Sequence, residues 1–595
     1  MDAGTLSIRQ VFDRDCRHIV PLYQRRYVWE RELQWEPLWE DIRAVAERRL
    51  LKQDTRPHFL GAIVLEQVPN PSGFLETRLV IDGQQRLTTL QVFLEALCDF
   101  AEEHGPEQFH KALRKLTRND DPMSVDEIEI FKVWPTNIDQ EDFRRVMLAG
   151  SPAELRKEYD VSPQAKSVNN NIGDAYLCFH ELLTEWLDPG DESYEQRLNA
   201  LYESILKYLR LVVIDLDQND DPQLIFETLN ARGTPLLPSD LIKNFLLHKA
   251  RQDGDEPAAL YTKYWMPFDE NHEYWQKELG RGHARRARID IFLQHFLTLK
   301  KKDDVSVAHL YGAFREFASN NVWGSASDIV SSIRSYAEVF RSFDQLSIES
   351  RVGLFFYRLN AMDVGTAFPF LMELFSHFEA DEATVTKIVC DLESFLVRRM
   401  VCQLSTRGYG RFFIDLLPCL ESESPAHCVR DYLLASDAEN RRWPNDEEFR
   451  IAWEQTPLYT KLVRARVRML LEAVEQELFT DKSEKLQFGE KLTIEHVMPQ
   501  HWHGNWALPN DKPQVEAELE REKLLHTVGN LTLLTKKLNP SVSNSGWLTK
   551  KAALEEHSGL AMNRSIIKKK DWTEEEITKR SERLSKLALS IWNRP

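Results

Sequence analysis

The chain lacks the features that mark disulfide-rich, fibrous and membrane-spanning proteins. Its 595 residues include only 7 cysteines and no C-x-x-C pair, which disfavours a disulfide framework and a cysteine-ligated zinc site. Glycine (23) and proline (26) are too scarce for collagen-like repeats or long flexible linkers. No run of about 18 apolar residues occurs, and the first residues contain no apolar signal segment. These absences predict a folded cytoplasmic protein in a reducing compartment, without a membrane span.

Positive charge is also in short supply. The chain has 76 Lys and Arg against 94 Asp and Glu, a net charge of −18. Such a protein repels nucleic acid on average, so DNA binding requires a local basic surface or a bound cation. Residues 533–595 provide one basic region, with 13 Lys and Arg and 7 Asp and Glu. Within it, Lys568, Lys569 and Lys570 either contact phosphates or form a solvated helix end.

Length and hydrophobic content indicate several globular domains. At roughly 150 residues per domain we expect about two to four. The 42% hydrophobic and 29% charged residues are typical of folded proteins. We predict an α+β multidomain fold with an N-terminal α/β domain at 1–250, a helical coupling domain at 251–440 and a C-terminal domain at 441–595. The motifs described below motivate the functions of the outer two.

Hydrophobic periodicity locates several secondary-structure elements. Apolar runs at 59–65, 78–81 and 211–215 predict strands, because they are short and bounded by polar or turn residues. Amphipathic spacing predicts successive helices between 285 and 435; examples are 326–342 and 383–401. Ser239 is the type of residue that caps a helix, and we predict that a helix begins directly after it.

The densest cluster of reactive side chains lies near the end of the chain. Its motifs are T-I-E-H-V-M-P-Q at 493–500, H-T-V-G-N-L-T-L-L at 526–534, L-N-P-S-V-S-N at 538–544, and then Lys550. The order predicts a strand ending at Glu495 and His496, a polar loop, a second strand and a helix. A carboxylate, an imidazole and a carboxamide suit metal-assisted phosphodiester hydrolysis. Oxygen ligands hold a cation such as Mg²⁺, and a neutral histidine takes a proton from water.

These motifs resemble the HNH (ββα-metal) nucleases, and most closely the C-terminal nuclease domain of GmrSD-type restriction enzymes. The signature of that domain is I-E-H-x-x-P-Q … G-N-L-T-L-L … N … K, and the resemblance covers the last quarter of the chain. It implies that Glu495 and Asn539 bind Mg²⁺ or Mn²⁺ and that His496 is the general base. Asn530 would fix the loop that carries the histidine. His526, the third catalytic candidate, would contact phosphate or act as a second ligand.

A second cluster lies in the first hundred residues. It consists of I-V-P-L-Y-Q-R-R-Y-V-W at 19–29 and I-D-G-Q-Q-R-L-T-T-L at 81–90. The second motif predicts a strand, a tight turn at Gly83 and a helix, which together offer backbone N–H groups to an anion. Arg86 is able to bind phosphate through two N–H groups. A capped turn with a solvated arginine is the alternative, and the absence of G-x-x-x-x-G-K-[ST] excludes a P-loop.

This second cluster resembles the N-terminal domain of GmrSD-family proteins, which has a ParB/sulfiredoxin-like fold. The D-G-Q-Q-R motif of that family is associated with nucleotide binding and hydrolysis. The resemblance therefore implies an NTP (GTP, ATP or CTP) bound by one set of residues. The set is Gln24, Arg25, Asp82, Gly83, Gln84, Gln85 and Arg86, with Tyr27, Thr88, Asn230, Arg232 and Lys243 as further candidates.

Two of these assignments have structural alternatives. Asn230 and Arg232 belong to N-A-R-G at 230–233, which equally fits a helix end closed by a left-handed glycine. Tyr27 belongs to a group of aromatic residues interleaved with arginines. That group would either form a pocket for an extruded modified base or be a core helix face with cation–π contacts.

Both halves of the GmrSD arrangement therefore occur in one chain. The resemblance implies type IV restriction by an NTP-regulated endonuclease that cleaves double-stranded phage DNA with a modified base, such as a glucosylated or other hypermodified cytosine. Relatives include BrxU and SspE, and SspE responds instead to phosphorothioate DNA. The rival hypotheses are a nicking nuclease of the SspE type, a nucleotide-gated DNA-binding regulator with an inactive nuclease domain, and an RNA-directed nuclease. A homodimer or higher oligomer is compatible with each.

Overall fold

The computed structural model of the chain describes most of the sequence. The described ranges are 2–22, 24–53, 56–68, 75–120, 127–136, 139–161, 171–216, 237–280, 285–319, 323–436, 438–478, 492–509, 512–535 and 544–595. The chain folds into two compact units. Unit 1 comprises Met1–Lys277 and Ala318–Val330, and unit 2 comprises Glu278–Phe317 and Ser331–Pro595. The three-domain division stays a prediction.

A six-stranded mixed sheet lies in unit 1. Its strands are β1 (Asp2–Ser7), β2 (Cys16–Ile19), β3 (His58–Gln67), β4 (Glu76–Asp82), β5 (Val133–Trp134) and β6 (Leu209–Leu216). The spatial order is β1-β6-β3-β4-β2-β5, with antiparallel pairs at β1–β6 and β3–β4 and parallel pairs elsewhere. The three predicted apolar runs lie within β3, β4 and β6, so those strands are confirmed.

Helices make up most of the remaining described residues of unit 1. Up to residue 280 they are α1 (Ile8–Phe12), α2 (Glu36–Leu50), α3 (Gln84–His104), α4 (Glu107–Thr117), α5 (Gln140–Leu148), α6 (Pro152–Val161), α7 (Asn171–Leu187), α8 (Tyr194–Glu203), α9 (Pro238–Asp253), α10 (Pro257–Leu260), α11 (Met266–Glu270) and α12 (His272–Trp275). Shorter π and 3-10 turns are Arg31–Trp35, Ser204–Tyr208, Tyr261–Trp265 and Glu127–Ile130.

Helix α3 forms the centre of this unit and carries the D-G-Q-Q-R motif at its start. It is buried on nearly all sides. The polar residues inside it have internal partners: Glu95 pairs with Arg118 at 2.8 Å, and Tyr176 donates to Asp99 at 2.6 Å. Buried charges need such partners, because an unpaired charge in the core is costly. The helix is therefore a rigid support for the turn that precedes it.

The prediction that Ser239 caps a helix is wrong. Helix α9 begins at Pro238, with Leu237 as the residue before it, and Ser239 lies inside the first turn and is buried. Proline is favoured at the first helical position because its φ is already helical and it has no N–H to leave unpaired. The helix therefore starts earlier than the serine indicates.

Unit 2 is mainly helical. From residue 285 onward the helices are α13 (Arg288–Lys301), α14 (Leu310–Ser319), α15 (Ala326–Ser342), α16 (Arg351–Met362), α17 (Phe368–Phe378), α18 (Glu382–Val401), α19 (Tyr409–Asp415), α20 (Pro425–Ala435), α21 (Asp446–Gln455), α22 (Leu458–Lys461), α23 (Arg464–Glu477), α24 (Gln514–Leu525), α25 (Trp547–His557), α26 (Ala561–Ile567) and α27 (Glu574–Ile591). The predicted helices at 326–342 and 383–401 are confirmed as α15 and α18.

The strands in the described part of unit 2 form two short antiparallel pairs. They are β7 (Glu278–Leu279) with β8 (Arg286–Ala287), and β9 (Leu492–His496) with β10 (Leu531–Thr535). Helix α18 stabilises this unit through two buried arginines. Arg398 donates to the carbonyl of Trp592 at 2.7 Å, and Arg399 donates to the carbonyl of Arg442 at 2.8 Å. The mostly helical fold with a small mixed sheet confirms the α+β multidomain class. Among the described helices, none has the length and apolar character needed to cross a bilayer.

Candidate functional site

The predicted nuclease residues lie where β9 and β10 meet. His496 ends β9 and pairs with Leu531 across the sheet, and Glu495 pairs with Thr532. Adjacent strand residues project to opposite faces. As a result, the imidazole of His496 and the carboxylate of Glu495 have different surroundings, although they are neighbours in sequence.

His496 forms a hydrogen-bonded pair with His526. The distance between Nε2 of His496 and Nδ1 of His526 is 3.1 Å, and the amide of Gln500 donates to Nδ1 of His496 at 3.4 Å. Because Gln500 donates to Nδ1, this network places the proton of His496 on Nε2. Burial is the main cause that lowers the pKa of His496 to about 3, with the charges of His526, Lys550 and Arg464 adding to it. The pKa of His526 is also lowered, again mainly by burial. Both rings are therefore neutral at physiological pH.

Two further residues, Tyr459 and Arg464, lie beside the histidine pair, and the sequence motifs did not identify them. Tyr459 packs edge-on against His496, with ring centroids 4.3 Å apart, and lies parallel to His526 at 5.6 Å. The guanidinium carbon of Arg464 lies 3.3 Å from the centroid of the Tyr459 ring. These residues precede the motifs by about 30 positions and belong to no motif of their own. No sequence signal distinguishes them from the other tyrosines and arginines.

Glu495 is paired with a buried lysine. Nζ of Lys550 donates to Oε1 of Glu495 and to the carbonyl oxygen of His496, both at 2.6 Å, and only 2% of the lysine is exposed. Burial raises the pKa of Glu495 and lowers that of Lys550, while the attraction within the pair opposes both shifts. The lysine thus joins helix α25 to the end of β9 and balances the charge of the carboxylate.

Asn530 holds the loop that follows His496. Its Oδ1 accepts from the backbone N–H of Met498 at 2.8 Å and from the indole of Trp572 at 3.1 Å. Its Nδ2 donates to the carbonyls of Met498 and Leu525, both at 2.9 Å. The side chain is fully buried, so all its hydrogen-bonding capacity serves the protein. Asn530 is therefore placed to position the histidine loop and not to touch a substrate.

The glycine of the G-N-L motif has a packing role. A Cβ on Gly529 would overlap the carbonyl oxygen of Ile577 and the hydroxyl of Ser581 in helix α27. The buried guanidinium of Arg580, on the same helix, donates to the carbonyls of Gly529 and Leu531 at 2.8 and 2.6 Å. Helix α27 thus approaches the turn before β10 closely and fixes the position of Asn530.

The predicted nucleotide residues of unit 1 are brought together at the start of α3. Three glutamines connect the segment after β2 to this point. Gln24 donates to the carbonyl of Ile81 at 2.8 Å, Gln84 to that of Arg25 at 2.9 Å, and Gln85 to that of Arg26 at 3.0 Å. Their amides are thereby committed to the backbone. Their structural effect is to hold the two arginines beside the D-G-Q-Q-R turn.

The turn itself fits closely against β3. Gly83 has φ +90°, and a Cβ there would lie 2.7 Å from Ile63 Cγ2. Arg86 donates to the carbonyl of Ala62 at 2.5 Å, and its guanidinium packs over Gly61. Burial lowers the pKa of Arg86 and raises that of the half-buried Asp82. The guanidinium is thus held against the sheet, not directed into solvent as in the alternative of a solvated arginine.

A small cavity of about 120 Å³ lies beside the segment that follows β2. Gln24, Arg25 and Lys243 line it together with residues of α9, α11 and α12. Lys243 is buried, with Nζ 3.2 Å from Asp269 and 4.0 Å from Asp240. The cavity therefore brings Lys243, predicted only as a further candidate, next to the N-terminal cluster.

The aromatic group belongs to the hydrophobic core. Tyr27, Trp35 and Trp39 are each 4% exposed or less. Tyr27 exchanges a hydrogen bond with Thr89 at 2.6 Å and accepts one from the Trp35 indole at 2.8 Å. Thr88, on the same helix as Thr89, is also buried. This burial favours the core alternative over a pocket for an extruded base.

Comparison with known families decides which family these two sites represent. The model for the GmrSD restriction endonuclease N-terminal domain matches residues 8–247, and the model for the C-terminal domain of GmrSD restriction endonucleases matches residues 443–587. The chain belongs to the GmrSD family. Together the two matches cover well over half of the sequence, and each contains one of the two side-chain clusters. No curated protein matches the chain.

Three predicted residues of this GmrSD protein lie outside the described ranges. They are Asn230, Arg232 and Asn539. In the described part of the chain, no group of three His, Cys, Asp or Glu side chains is placed to hold a metal ion. The donor chemistry at Glu495 nevertheless fits Mg²⁺, which proteins commonly bind through one or two carboxylates, with water and substrate oxygens as the remaining ligands. Lys550 already donates to one oxygen of this carboxylate, Oε1.

Substitution of Gly61 tests the fit of Arg86 against β3. Gly61→Ala is expected to destabilise unit 1 by about 1–3 kcal/mol, because φ is +113° and the new Cβ would lie 2.6 Å from Cζ of Arg86. Thermal unfolding measures the change. Gly4→Ala is the matched control in the same sheet, since its Cβ would meet nothing within 4 Å. Equal stability of the two variants would show that Arg86 is not held against Gly61.

Asp139 gives unit 1 a defined pH dependence. It accepts from the Tyr27 backbone N–H at 2.7 Å and the Thr136 hydroxyl at 3.0 Å, yet burial raises its pKa from 3.8 to about 6. The folded state therefore holds the proton more tightly than the unfolded state. The stabilising contribution is complete below pH 3.8 and is lost as the pH rises through about 6.

The expected result is that the wild type loses on the order of 2–3 kcal/mol relative to Asp139→Asn between about pH 4 and 7. Urea unfolding of both proteins across this range measures the difference. A difference that is independent of pH, or one of opposite sign, would contradict the raised pKa.

Proposed function

We propose that this GmrSD-family chain is a type IV restriction enzyme, an NTP-regulated endonuclease that hydrolyses modified phage DNA at the His496–His526 pair. The observation that carries the proposal is that the neutral His496–His526 pair lies at the junction of β9 and β10 within the matched C-terminal segment, with Glu495 as the residue before His496. A neutral imidazole with one unprotonated nitrogen is what general-base hydrolysis requires.

In the proposed reaction, Nδ1 of His496 accepts a proton from a water molecule as the water oxygen attacks the phosphorus. The P–O bond opposite the attacking oxygen breaks, the leaving oxygen takes a proton from solvent, and His496 then returns its own proton to solvent. Nδ1 of His526 accepts a hydrogen bond from the Nε2–H group of His496. It thereby keeps the tautomer whose Nδ1 is free for the water once the 3.4 Å contact with Gln500 opens.

We assign the C-terminal site to the HNH (ββα-metal) type. The strand pair of β9 and β10, which has α24 between its strands along the chain, is followed by helix α25, and α25 contributes Lys550. Glu495 and Asn539 would hold Mg²⁺ or Mn²⁺, and such a cation would supply positive charge to the phosphate when bound. The order of the motifs and the position of the Glu495 carboxylate at the end of β9 support this assignment.

We likewise assign unit 1 a ParB/sulfiredoxin-like fold with a bound NTP at the D-G-Q-Q-R turn. Support comes from the glutamine contacts that hold Arg25 and Arg26 beside Gly83, and from the cavity lined by Arg25 and Lys243. A volume of about 120 Å³ suits one phosphate group or ring system, and not a whole nucleotide. Arg25 is the residue best placed to meet the charge of a phosphate.

The test is cleavage of matched DNA substrates that differ only in modification: unmodified, hydroxymethylated, glucosylated and phosphorothioate. Each is incubated with the full chain and Mg²⁺, with and without GTP, ATP or CTP. The proposal predicts cutting of a base-modified substrate and a rate that changes with one nucleotide. Selective nicking of phosphorothioate DNA would support the SspE-type alternative instead. Binding without cleavage would support the regulator hypothesis.

A further inference from the structure

The turn between α22 and α23 places a basic residue, Arg464, near the His496–His526 pair. Arg464 lies outside the motifs that contain the two histidines. Tyr459 of α22 donates its backbone N–H to the carbonyl of His526 at 3.2 Å, and its ring contacts both histidines. Arg464 begins α23, and its guanidinium stacks on this ring. The turn between α22 and α23 is therefore attached to the histidine pair by backbone and side-chain contacts.

Arg464 differs from its neighbour on the same helix. Arg468 pairs with Glu472, 3.6 Å away. Arg464 is exposed, and in the described part of the chain its contacts are the ring and the carbonyl oxygen of Tyr459, with no carboxylate partner. A guanidinium stacked on an aromatic ring is fixed in orientation, and its N–H groups stay in the plane of the group. Nη1 of Arg464 donates to the Tyr459 carbonyl, which leaves the N–H groups at Nε and Nη2 as donors for a ligand. Such an arrangement is prepared for an anion.

The positive charge of Arg464 affects the pKa values of both histidines. It contributes to the lowered pKa of both His496 and His526, with burial the larger cause in each case. His526 is half-buried, in contrast to His496, which is 4% exposed. With its Nδ1 accepting from His496, the proton of His526 lies on Nε2, so this ring also offers one N–H donor. Two donors, one charged and one neutral, are thus found beside the proposed general base.

We propose that Arg464 and His526 form a binding site for the phosphodiester that is cut, with Tyr459 as the positioning residue that holds Arg464. The inference rests on the proposed nuclease function and extends it to a residue of α23. Arg464 donates to the non-bridging oxygens of the phosphate, and His526 donates through Nε2. The protein thereby supplies local positive charge to DNA in spite of its net charge of −18.

The experiment compares Arg464→Gln, Arg464→Lys and the control Arg468→Gln in the full chain, on the DNA substrate that the wild type cuts best. Arg464→Gln is expected to lower kcat about 10²-fold, because one donor to the developing charge is removed. Arg464→Lys should recover only part of the rate, since an ammonium group cannot form the bidentate pair of hydrogen bonds that a guanidinium forms with a phosphate. Arg468→Gln should cut like the wild type.

Binding gives a second, independent readout. In a His496→Ala background, Arg464→Gln should reduce the slope of log affinity against log salt by about one. A wild-type rate for Arg464→Gln would overturn the inference while leaving the nuclease function in place. A reduced slope with an unchanged rate would also overturn it, since the arginine would then contact a distant phosphate. A wild type that cuts no DNA would instead overturn the proposed function. Thermal unfolding of Arg464→Gln should match the wild type, because the residue is exposed.

Discussion

His496→Ala is expected to abolish DNA cleavage and to leave the fold and any nucleotide hydrolysis by unit 1 intact. Loss of a general base typically costs about 10²–10⁴ in rate. The expected loss is at the upper end, because His526 would also lose its hydrogen-bond partner. Conversion of supercoiled plasmid to nicked and linear forms measures the rate, and circular dichroism checks the fold.

His501→Ala is the matched control for this experiment. His501 lies in the same loop and is exposed, so its removal should change neither cleavage nor stability. If His496→Ala cuts DNA at nearly the wild-type rate, His496 is a structural residue. The nuclease assignment of the β9–β10 site would then be wrong.

Asn530→Ala is expected to have the largest effect on stability. Removal of this side chain leaves four buried backbone and indole groups without their partner. Each unsatisfied buried group costs about 1–3 kcal/mol, so a loss of about 3 kcal/mol or more is expected even after relaxation. Cleavage should fall as well, since the loop after His496 is no longer held. Urea unfolding of unit 2 and plasmid cleavage measure the two effects.

Asn505→Ala provides the comparison. Asn505 is an exposed residue in the same region, and its side chain makes one hydrogen bond in the described part of the chain, to the carbonyl of Asn544 at 3.0 Å. Its removal should cost less than about 1 kcal/mol. A similar urea midpoint for both variants would show that Asn530 does not anchor the histidine loop.

Local sequence patterns were sufficient to predict the elements that are determined by local sequence. The predicted apolar runs lie in β3, β4 and β6, because short hydrophobic segments between turns have few structures other than a strand open to them. The position of Glu495 and His496 at the end of a strand also followed from local order. The polar loop predicted between the two strands is wrong in part, because it contains helix α24 (Gln514–Leu525). Ser239 failed as a cap because Pro238 already starts the helix, a competition between two local signals.

Residues whose role depends on tertiary contacts could not be predicted. Tyr459 and Arg464 reach the histidines only after α22 packs beside β9. Lys550 was visible as part of a motif, but its ion pair with Glu495 depends on the docking of α25. Arg86 was expected to face an anion or solvent, and the missing side chain of Gly61 allows it to pack against β3 instead. In each case the deciding partner is distant in sequence.

The most direct test of the central proposal is cleavage of one pair of DNA molecules with the same sequence, one with glucosylated hydroxymethylcytosine and one unmodified. The wild type and His496→Ala are compared at equal concentration with Mg²⁺ and the NTPs. The expected result is that the wild type cuts the modified DNA and spares the unmodified DNA, while His496→Ala cuts neither. Equal cutting of both DNA molecules by the wild type, or cutting of either by His496→Ala, would contradict the account.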